Sequence, residues 1–380
     1  MLRIALLSRR WSVRAGNEKV AVELARQMTA RGHAITVYAS RVDGSAGEVA
    51  PVVRLPGVSF DPKLAMLSYA WTTKRLVERL RAERATDVVI GFGHSVVHDV
   101  YRLGGGTHAA FLEAAKDHPE ARGGPVLDRL ALAYEKKRFS PEASPLLVAP
   151  SREVARELER YYAVTPDRIR IVWNGIDLER FSPVPEGHAD VQAAHAERAR
   201  VRAAWGVSID RAVALFVGQD PGRKGLPAAL EVARRLHLHL VYVGRAPRPR
   251  DLSAPVTWDG ERSDVEACYR SADVLLAPSR YDPFGGVVLE ALASGCLPVA
   301  TRRIGATERM QGTPLDALLV DDPDDLEGLV RAASLALDPG RKEALRAEAH
   351  RVTRDAGRDA WGSAMEAVLE EGARQWRARA

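Results

Sequence analysis

Residues 278–295 read Pro-Ser-Arg-Tyr-Asp-Pro-Phe-Gly-Gly-Val-Val-Leu-Glu-Ala-Leu-Ala-Ser-Gly, and this run constrains the fold more than any other. Its second half predicts a short helix that starts near Gly286 and is stopped by Gly295. Apolar stretches at 273–277 and 297–301 flank the run and predict strands. Within 287–293 every side chain is apolar except Glu290. A lone carboxylate in such a helix needs a partner. Asp282 lies in the loop that feeds the helix, so two acids flank a turn whose Gly285 and Gly286 leave backbone N–H groups open. Acids and amides beside a positive helix end suit a polyhydroxylated, phosphorylated guest. Carboxylates accept from its hydroxyls and amides donate to its phosphate.

At 380 residues the chain exceeds one ordinary core and predicts two domains of roughly 150 to 200 residues each. Lys plus Arg (55) exceed Asp plus Glu (50) by only five, and no aromatic residues interleave with basic clusters. Nucleic acid is therefore not an expected partner. Cys268 and Cys296 lack metal-ligand spacing, which predicts reduced thiols and a cytoplasmic setting. The apolar run at 1–7 is shorter than a signal-peptide core, and no run of 18 apolar residues occurs.

The chain opens with a βαβ pattern. Residues 4–7 predict a strand and 8–16 a polar loop. Val20, Leu24 and Met28 recur at helical spacing, Gly32 ends that helix, and 33–38 predict a second strand. A dinucleotide site places G-x-G-x-x-G in the first loop. Only Gly16 is present, which counts against NAD or FAD. Gly16 reads either as a glycine that lets a phosphate approach or as an ordinary loop glycine. Residues 63–85 predict a charged helix, and 87–94 a strand entering a glycine-rich turn. His94 and His108 both stand beside glycines. The three glycines at 104–106 make His108 the better cleft candidate, with Asp99 and Glu113 as weaker ones. Residues 125–139 predict a basic amphipathic helix, read either as a solvated cover for a core or as a contact for an anionic membrane surface. Ser151 is the expected N-cap of a helix through Tyr161.

Prolines and a glycine at 181–187 mark the expected hinge. It divides the chain into domains 1–182 and 183–360, with 361–380 expected to fold back onto the first. A second βαβ series follows: strand 213–217, loop 218–225, helix 226–236 and strand 238–243. Arg223 and Lys224 stand at the mouth of this parallel sheet, just before a helix N-terminus. A diphosphate binds at such a place. The alternative is a solvated basic loop, and the glycines on both sides favour phosphate.

Val217-Gly218 with Arg223-Lys224-Gly225, Ser271-Ala-Asp-Val-Leu-Leu-Ala-Pro-Ser279, and the run at 282–299 together resemble glycosyltransferase family 4. Arg31-Gly-His33, Ala149-Pro-Ser151 and Val172-Trp-Asn-Gly-Ile-Asp177 extend the likeness over nearly the whole chain. Asp99-Val-Tyr101 and Tyr134-Glu-Lys-Lys137 resemble its lipopolysaccharide-core α-glucosyltransferase branch. The resemblance implies the α/β GT-B fold, in which two Rossmann-like domains with parallel sheets face each other across a cleft. It implies a retaining enzyme that moves a hexose from a nucleotide diphosphate sugar to a lipopolysaccharide-core or other cell-surface glycan or glycolipid. UDP is the first expectation for the nucleotide, with GDP and ADP open, and neither metal nor cofactor is needed. The enzyme would be cytoplasmic, at the inner face of the membrane where 125–139 reaches it.

By the same resemblance Glu290 would hold the ribose hydroxyls and Asp282 would contact the transferred sugar. Arg223 and Lys224 would neutralise the leaving diphosphate beside Gly218. Phe284, Gly285, Gly286 and Val287 would offer backbone amides to sugar and phosphate. Gly16 would approach the diphosphate from the other domain, and His108 would lie by the reacting carbon. Two departures stand out. The family usually has Glu where this chain has Asp282, and the glycine pair common in its first loop is here Ala15-Gly16. Two other readings remain: a nucleotide-sugar-binding protein without acceptor chemistry, and an NAD oxidoreductase, which the missing fingerprint disfavours.

Overall fold

The computed structural model describes residues 1–13, 16–57, 61–116, 124–183, 191–248 and 255–379. The chain forms two compact units, Met1–Gly175 with Arg358–Ala380, and Ile176–Gly357. The first contains β1 (Arg3–Ser8), β2 (Arg10–Trp11), α1 (Gly16–Ala30), β3 (Ala34–Ala39), β4 (Arg41–Val42), β5 (Val52–Arg54) and α2 (Pro62–Ala82). It continues with β6 (Val88–Phe92), β7 (Val100–Arg102), α3 (His108–Ala114), α4 (Pro125–Arg138), β8 (Leu146–Ala149), α5 (Arg152–Tyr162) and β9 (Ile169–Ile171). Its main sheet runs β5-β3-β1-β6-β7-β8-β9, and every pairing in it is parallel.

Successive side chains of a strand face opposite ways, and β1 shows what that does here. Ile4 and Leu6 join a core with Leu24 and Met28 of α1, whereas Ala5 and Leu7 join another with Leu76, Val77 and Leu80 of α2. The apolar run therefore needs a helix on each face, which is why the chain alternates strand and helix.

The second unit contains α6 (Val191–Ala204), β10 (Val213–Val217), α7 (Leu226–Arg235), β11 (His239–Val243), β12 (Val256–Gly260), α8 (Val265–Ser271) and β13 (Val274–Ala277). Then come α9 (Gly286–Ala293), β14 (Leu297–Thr301), β15 (Leu319–Val320), α10 (Leu326–Leu337) and α11 (Pro339–Thr353). Its sheet runs β12-β11-β10-β13-β14-β15, again parallel throughout. The last helix, α12 (Arg358–Arg379), belongs to the first unit. Its stripe of Trp361, Met365, Val368, Leu369 and Ala373 recurs at helical spacing and enters the core of β1 and α1.

The units divide at 175/176 and 357/358, a few residues before the expected boundaries at 182/183 and 360/361. A parallel bridge between Ile176 and Gly357 joins the two ends of the second unit. Residues 184–187 of the expected hinge lie outside the described residues. Among the described residues no helix is long and apolar enough to cross a membrane.

Asp99 and Glu113, the weaker cleft candidates, have structural employment. Asp99 is buried, accepting from Val89 N at 2.7 Å and from Arg81 Nη2 at 2.9 Å. Glu113 meets Arg160 and Tyr161 at the surface. His98 is fully buried, with its two ring nitrogens 2.9 Å from Ser144 Oγ and 2.7 Å from Ser95 Oγ. Burial first, and then the charges of Arg138 and Arg81, depress its pKa well below 6.5. His94 is pushed down to about 4, again by burial first.

A depressed pKa means that the folded chain binds fewer protons than the unfolded one. The associated stability is complete above the unfolded value near 6.5 and is lost as pH falls from there, for His94 down to about 4. Each such ring contributes a slope of at most ~1.4 kcal/mol per pH unit in that window. Denaturant unfolding between pH 7.5 and 5 is expected to show falling stability. His98→Gln, compared over the same range, should have a slope shallower by close to one proton, and an unchanged slope would remove His98 from this account.

Candidate active site

Both loops singled out in the sequence lie in the second unit, at the C-terminal ends of the adjacent parallel strands β10 and β13. They interlock. Arg280 N donates to Arg223 O at 2.9 Å, and Arg223 Nη1 donates to Tyr281 O at 2.6 Å. Lys224 Nζ donates to Asp282 Oδ2 in a pair whose side chains are each only 12% exposed. Burial pushes the Asp282 carboxyl up, but the Lys224 ammonium and, beyond it, Arg223 bring it below its ordinary 3.8. The two residues assigned to different parts of the substrate are thus each other's partner across 58 positions of sequence.

Glycine is required where the loops meet. Gly225 caps α7 at φ +79°, and a Cβ there would stand 2.0 Å from Pro278 O. Gly285 caps α9 at φ +70°, and a Cβ there would reach 2.3 Å from Ile304 Cγ2. Both are left-handed positions that leave the following helix N–H groups unblocked. At Gly286 a Cβ would meet nothing within 4 Å, so the α9 N-terminus opens onto space. A Cβ on Gly218 would press on Lys224 Cγ at 3.2 Å, so that glycine gives the lysine stem its path. The Phe284 ring is buried, while its N–H donates to Asp282 Oδ1 at 3.3 Å. Val287, in the first turn of α9, is half-buried.

Glu290 has a partner that the sequence did not reveal. It is half-buried, and Tyr269 of α8 donates its hydroxyl to Glu290 Oε2 at 3.0 Å. Burial first, and then the Glu290 charge, hold the Tyr269 hydroxyl protonated well above its ordinary value. One carboxylate oxygen is thereby fixed by a donor that does not ionise near neutral pH. At the neighbouring strand ends the Trp258 ring stacks on Tyr242 at 3.8 Å, and the Tyr242 hydroxyl donates to Gly218 O at 2.7 Å.

In the first unit, Thr107 caps α3 and His108 is the first residue of that helix. The His108 N–H is shared between both Glu135 oxygens, at 2.8 and 2.9 Å. The His108 Nε2 donates to Asp128 Oδ1 at 2.9 Å, and its ring stacks on Phe111. Asp128 and Glu135 are two turns apart on the buried face of α4. Helix α4 turns these acids inward toward α3, as a cover for a core, while Val126, Arg129, Lys136 and Lys137 are exposed. The spacing of those two acids was the available signal for what orients His108. A Cβ on Gly104 would collide with Asn17 Oδ1, which accepts from the buried Arg102, so that glycine serves packing.

Gly16 begins α1, and a Cβ there would meet nothing within 4 Å. It is a helix start and not a loop glycine, while Ala15 lies outside the described residues.

Comparisons with known proteins bear on the family and the fold. The description Glycosyltransferase Family 4 matches residues 15–180, and Glycosyl transferases group 1 matches residues 211–338. A probable transglycosylase of Burkholderia thailandensis is 30% identical over 342 residues, covering 90% of this chain and 88% of its own. The D-inositol 3-phosphate glycosyltransferase of Xylanimonas cellulosilytica is 30% identical over 292 residues, covering 72% and 65%. The lipopolysaccharide glucosyltransferase WaaG of Escherichia coli K12 is 26% identical over 312 residues, covering 76% and 77%. Among solved structures, WaaG superposes with a TM-score of 0.77 at 21% identity, over 96% of this chain and 98% of that one. Anabaena Alr3699/HepE, in complex with UDP and glucose, gives 0.70 at 16%, over 98% and 100%. The architecture is therefore GT-B, the chain is a glycosyltransferase, and it belongs to glycosyltransferase family 4.

Proposed function

We propose that the chain transfers a hexose from a UDP-sugar to a cell-surface glycan or glycolipid, with retention of configuration and without a metal. The observation that carries this reading is the interlocked pair of loops in the second unit. With α9 they bring Arg223, Lys224, Asp282, Glu290 and an open helix N-terminus to adjacent strand ends. Arg223, Lys224 and the first amides of α9 are suited to a diphosphate, and Glu290, steadied by Tyr269, to the ribose hydroxyls. The UDP and glucose held by the HepE structure support this choice of donor.

Breaking the bond between the anomeric carbon and the diphosphate places charge on the leaving group. The two cations take up that charge, which is the role a metal would otherwise fill. In a retaining front-face reaction the departing phosphate oxygen accepts the proton of the incoming hydroxyl. His108, its ring fixed by Asp128, is assigned to the acceptor half of the reaction. The lipopolysaccharide and inositol-phosphate acceptors in the relatives' names make a polyhydroxylated acceptor the class to assay first. The exposed basic face of α4 fits recruitment to anionic lipid.

The test is a thermal-shift screen with UDP, GDP and ADP sugars, followed by transfer assays with the donor that stabilises the chain. Stabilisation by a UDP-sugar and formation of the α-linked product are expected. Stabilisation by none of the three would refute the donor reading.

Asp282 bears on sugar choice, because its carboxylate must leave or share Lys224 to reach a sugar hydroxyl. Asp282→Glu lengthens the arm by one methylene. It is expected to shift the ratio of kcat/KM between UDP-glucose and UDP-galactose by about fivefold or more, a change of ~1 kcal/mol. An unchanged ratio would detach Asp282 from sugar recognition.

A further inference from the structure

At the C-terminal end of α9, away from its open Gly286 end, the second unit holds a cavity of about 560 Å³. That size lies within the range of small-molecule pockets. Arg198 of α6, Arg270 of α8, and Lys342 and Arg346 of α11 line it. Among the described residues the single acid in the lining is Glu343, whose side chain is 82% exposed.

Among the described residues the carboxylates behind the lining are fewer than the cations. Asp273 Oδ1 accepts from Arg198 Nη2 at 2.7 Å and lies 3.5 Å from Lys342 Nζ. Asp273 Oδ2 accepts from Arg202 Nη2 at 2.6 Å and from Val213 N at 2.8 Å. One carboxylate thus serves three cations. Glu197 matches Arg270 with two bonds, at 2.7 and 3.0 Å. Arg346 donates to Gly295 O at 3.0 Å, ending α9, and to the solvated Glu343 at 3.2 Å. Lys342 and Arg198 retain only 22% and 25% exposure, so the surplus positive charge is half withdrawn from water.

Ser294 is a second and independent sign. It is 3% exposed, lines the same cavity, and its hydroxyl has no hydrogen-bond partner among the described residues. Surplus guanidinium and ammonium charge beside an unused hydroxyl donor fits an anion with several acceptor oxygens. Tyr269 forms another part of the wall, and its hydroxyl is the group that holds Glu290.

We propose that this cavity is a regulatory site for a small phosphomonoester, whose occupancy changes donor affinity through Tyr269. The binding site stands on the cavity alone, and the change in donor affinity rests on the donor reading of Glu290. Coupling of this kind is reciprocal, so donor and phosphomonoester must alter each other's affinity by the same factor.

The test is calorimetric titration of the full chain with inorganic phosphate and with glucose 6-phosphate, then of UDP with and without saturating glucose 6-phosphate. Saturable binding of glucose 6-phosphate is expected, weakened about tenfold or more by Lys342→Glu and by the milder Lys342→Gln. Glu290→Ala should weaken UDP binding while saturable glucose 6-phosphate binding persists, which separates this site from the donor site. The UDP Kd is expected to move by about threefold or more. Absence of saturable binding by both probes, or equal binding by both Lys342 variants with intact melting transitions, overturns the site. A UDP Kd that ignores glucose 6-phosphate overturns the regulatory role. Failure of UDP itself to bind overturns the donor reading and the coupling, while the glucose 6-phosphate titration still decides the cavity.

Discussion

Lys224→Ala is expected to lower kcat by on the order of 100-fold to 1,000-fold, the scale of removing one preorganised donor from developing negative charge. The structure adds a second consequence. Lys224 is the ion-pair partner of Asp282, and both side chains are almost wholly withdrawn from water. Removing the lysine leaves an acid that burial alone would push upward. Breaking such a pair from one side costs about 3–5 kcal/mol of stability.

Lys224→Ala combined with Asp282→Asn should therefore recover much of the lost stability and none of the lost turnover. Denaturant unfolding and single-turnover kinetics on the four chains of that cycle separate the two effects. Wild-type turnover in Lys224→Ala would remove the lysine from the chemistry. The pair also has a pH signature. The Asp282 pKa is lowered, so the stability it confers is complete above the ordinary 3.8 and is lost as pH falls through the folded value below it.

Glu290→Ala is expected to weaken UDP-sugar binding by on the order of 100-fold, because each hydrogen bond from a ribose hydroxyl to a carboxylate contributes ~1.5–3 kcal/mol. The loss should appear in donor affinity and KM more than in kcat, since a ribose contact is made equally before and during bond breaking. A 2′,3′-dideoxyribose donor provides the internal control, because it lacks the hydroxyls that Glu290 is assigned to hold. Wild type and Glu290→Ala should bind that analogue alike. A full Glu290→Ala penalty on the dideoxy donor would move Glu290 away from the ribose. Tyr269→Phe removes one hydrogen bond and leaves the carboxylate, so a smaller loss of about tenfold is expected.

The alternation of strands and helices was legible because apolar runs buried on two faces leave a strong one-dimensional signal. The loops at 218–225 and 278–286 were legible for a related reason, since glycines and charges together at the end of an apolar strand have few other uses. What stayed hidden was pairing. Nothing local to Lys224 names Asp282, and nothing local to Glu290 names Tyr269, which reads as an aromatic of an ordinary short helix. Asp99 was misjudged because an acid near glycines resembles a cleft residue, whereas its oxygens secure Val89 N and Arg81. In α4 the basic residues drew attention to the outer face, and the buried pair of acids that fixes His108 passed unread.

The bridge between Ile176 and Gly357 has a practical corollary. The second unit is one uninterrupted stretch whose two ends are already hydrogen-bonded to each other, while the first is made of two separate stretches. In genetic terms, the second unit is an insert within its host. Residues 176–357 can be cut out with one start and one stop codon, whereas the remainder needs a short linker joining 175 to 358, across a gap that the native fold already closes. Exchange of second units between relatives should place both joints at this bridge, so that the unit travels as a single cassette.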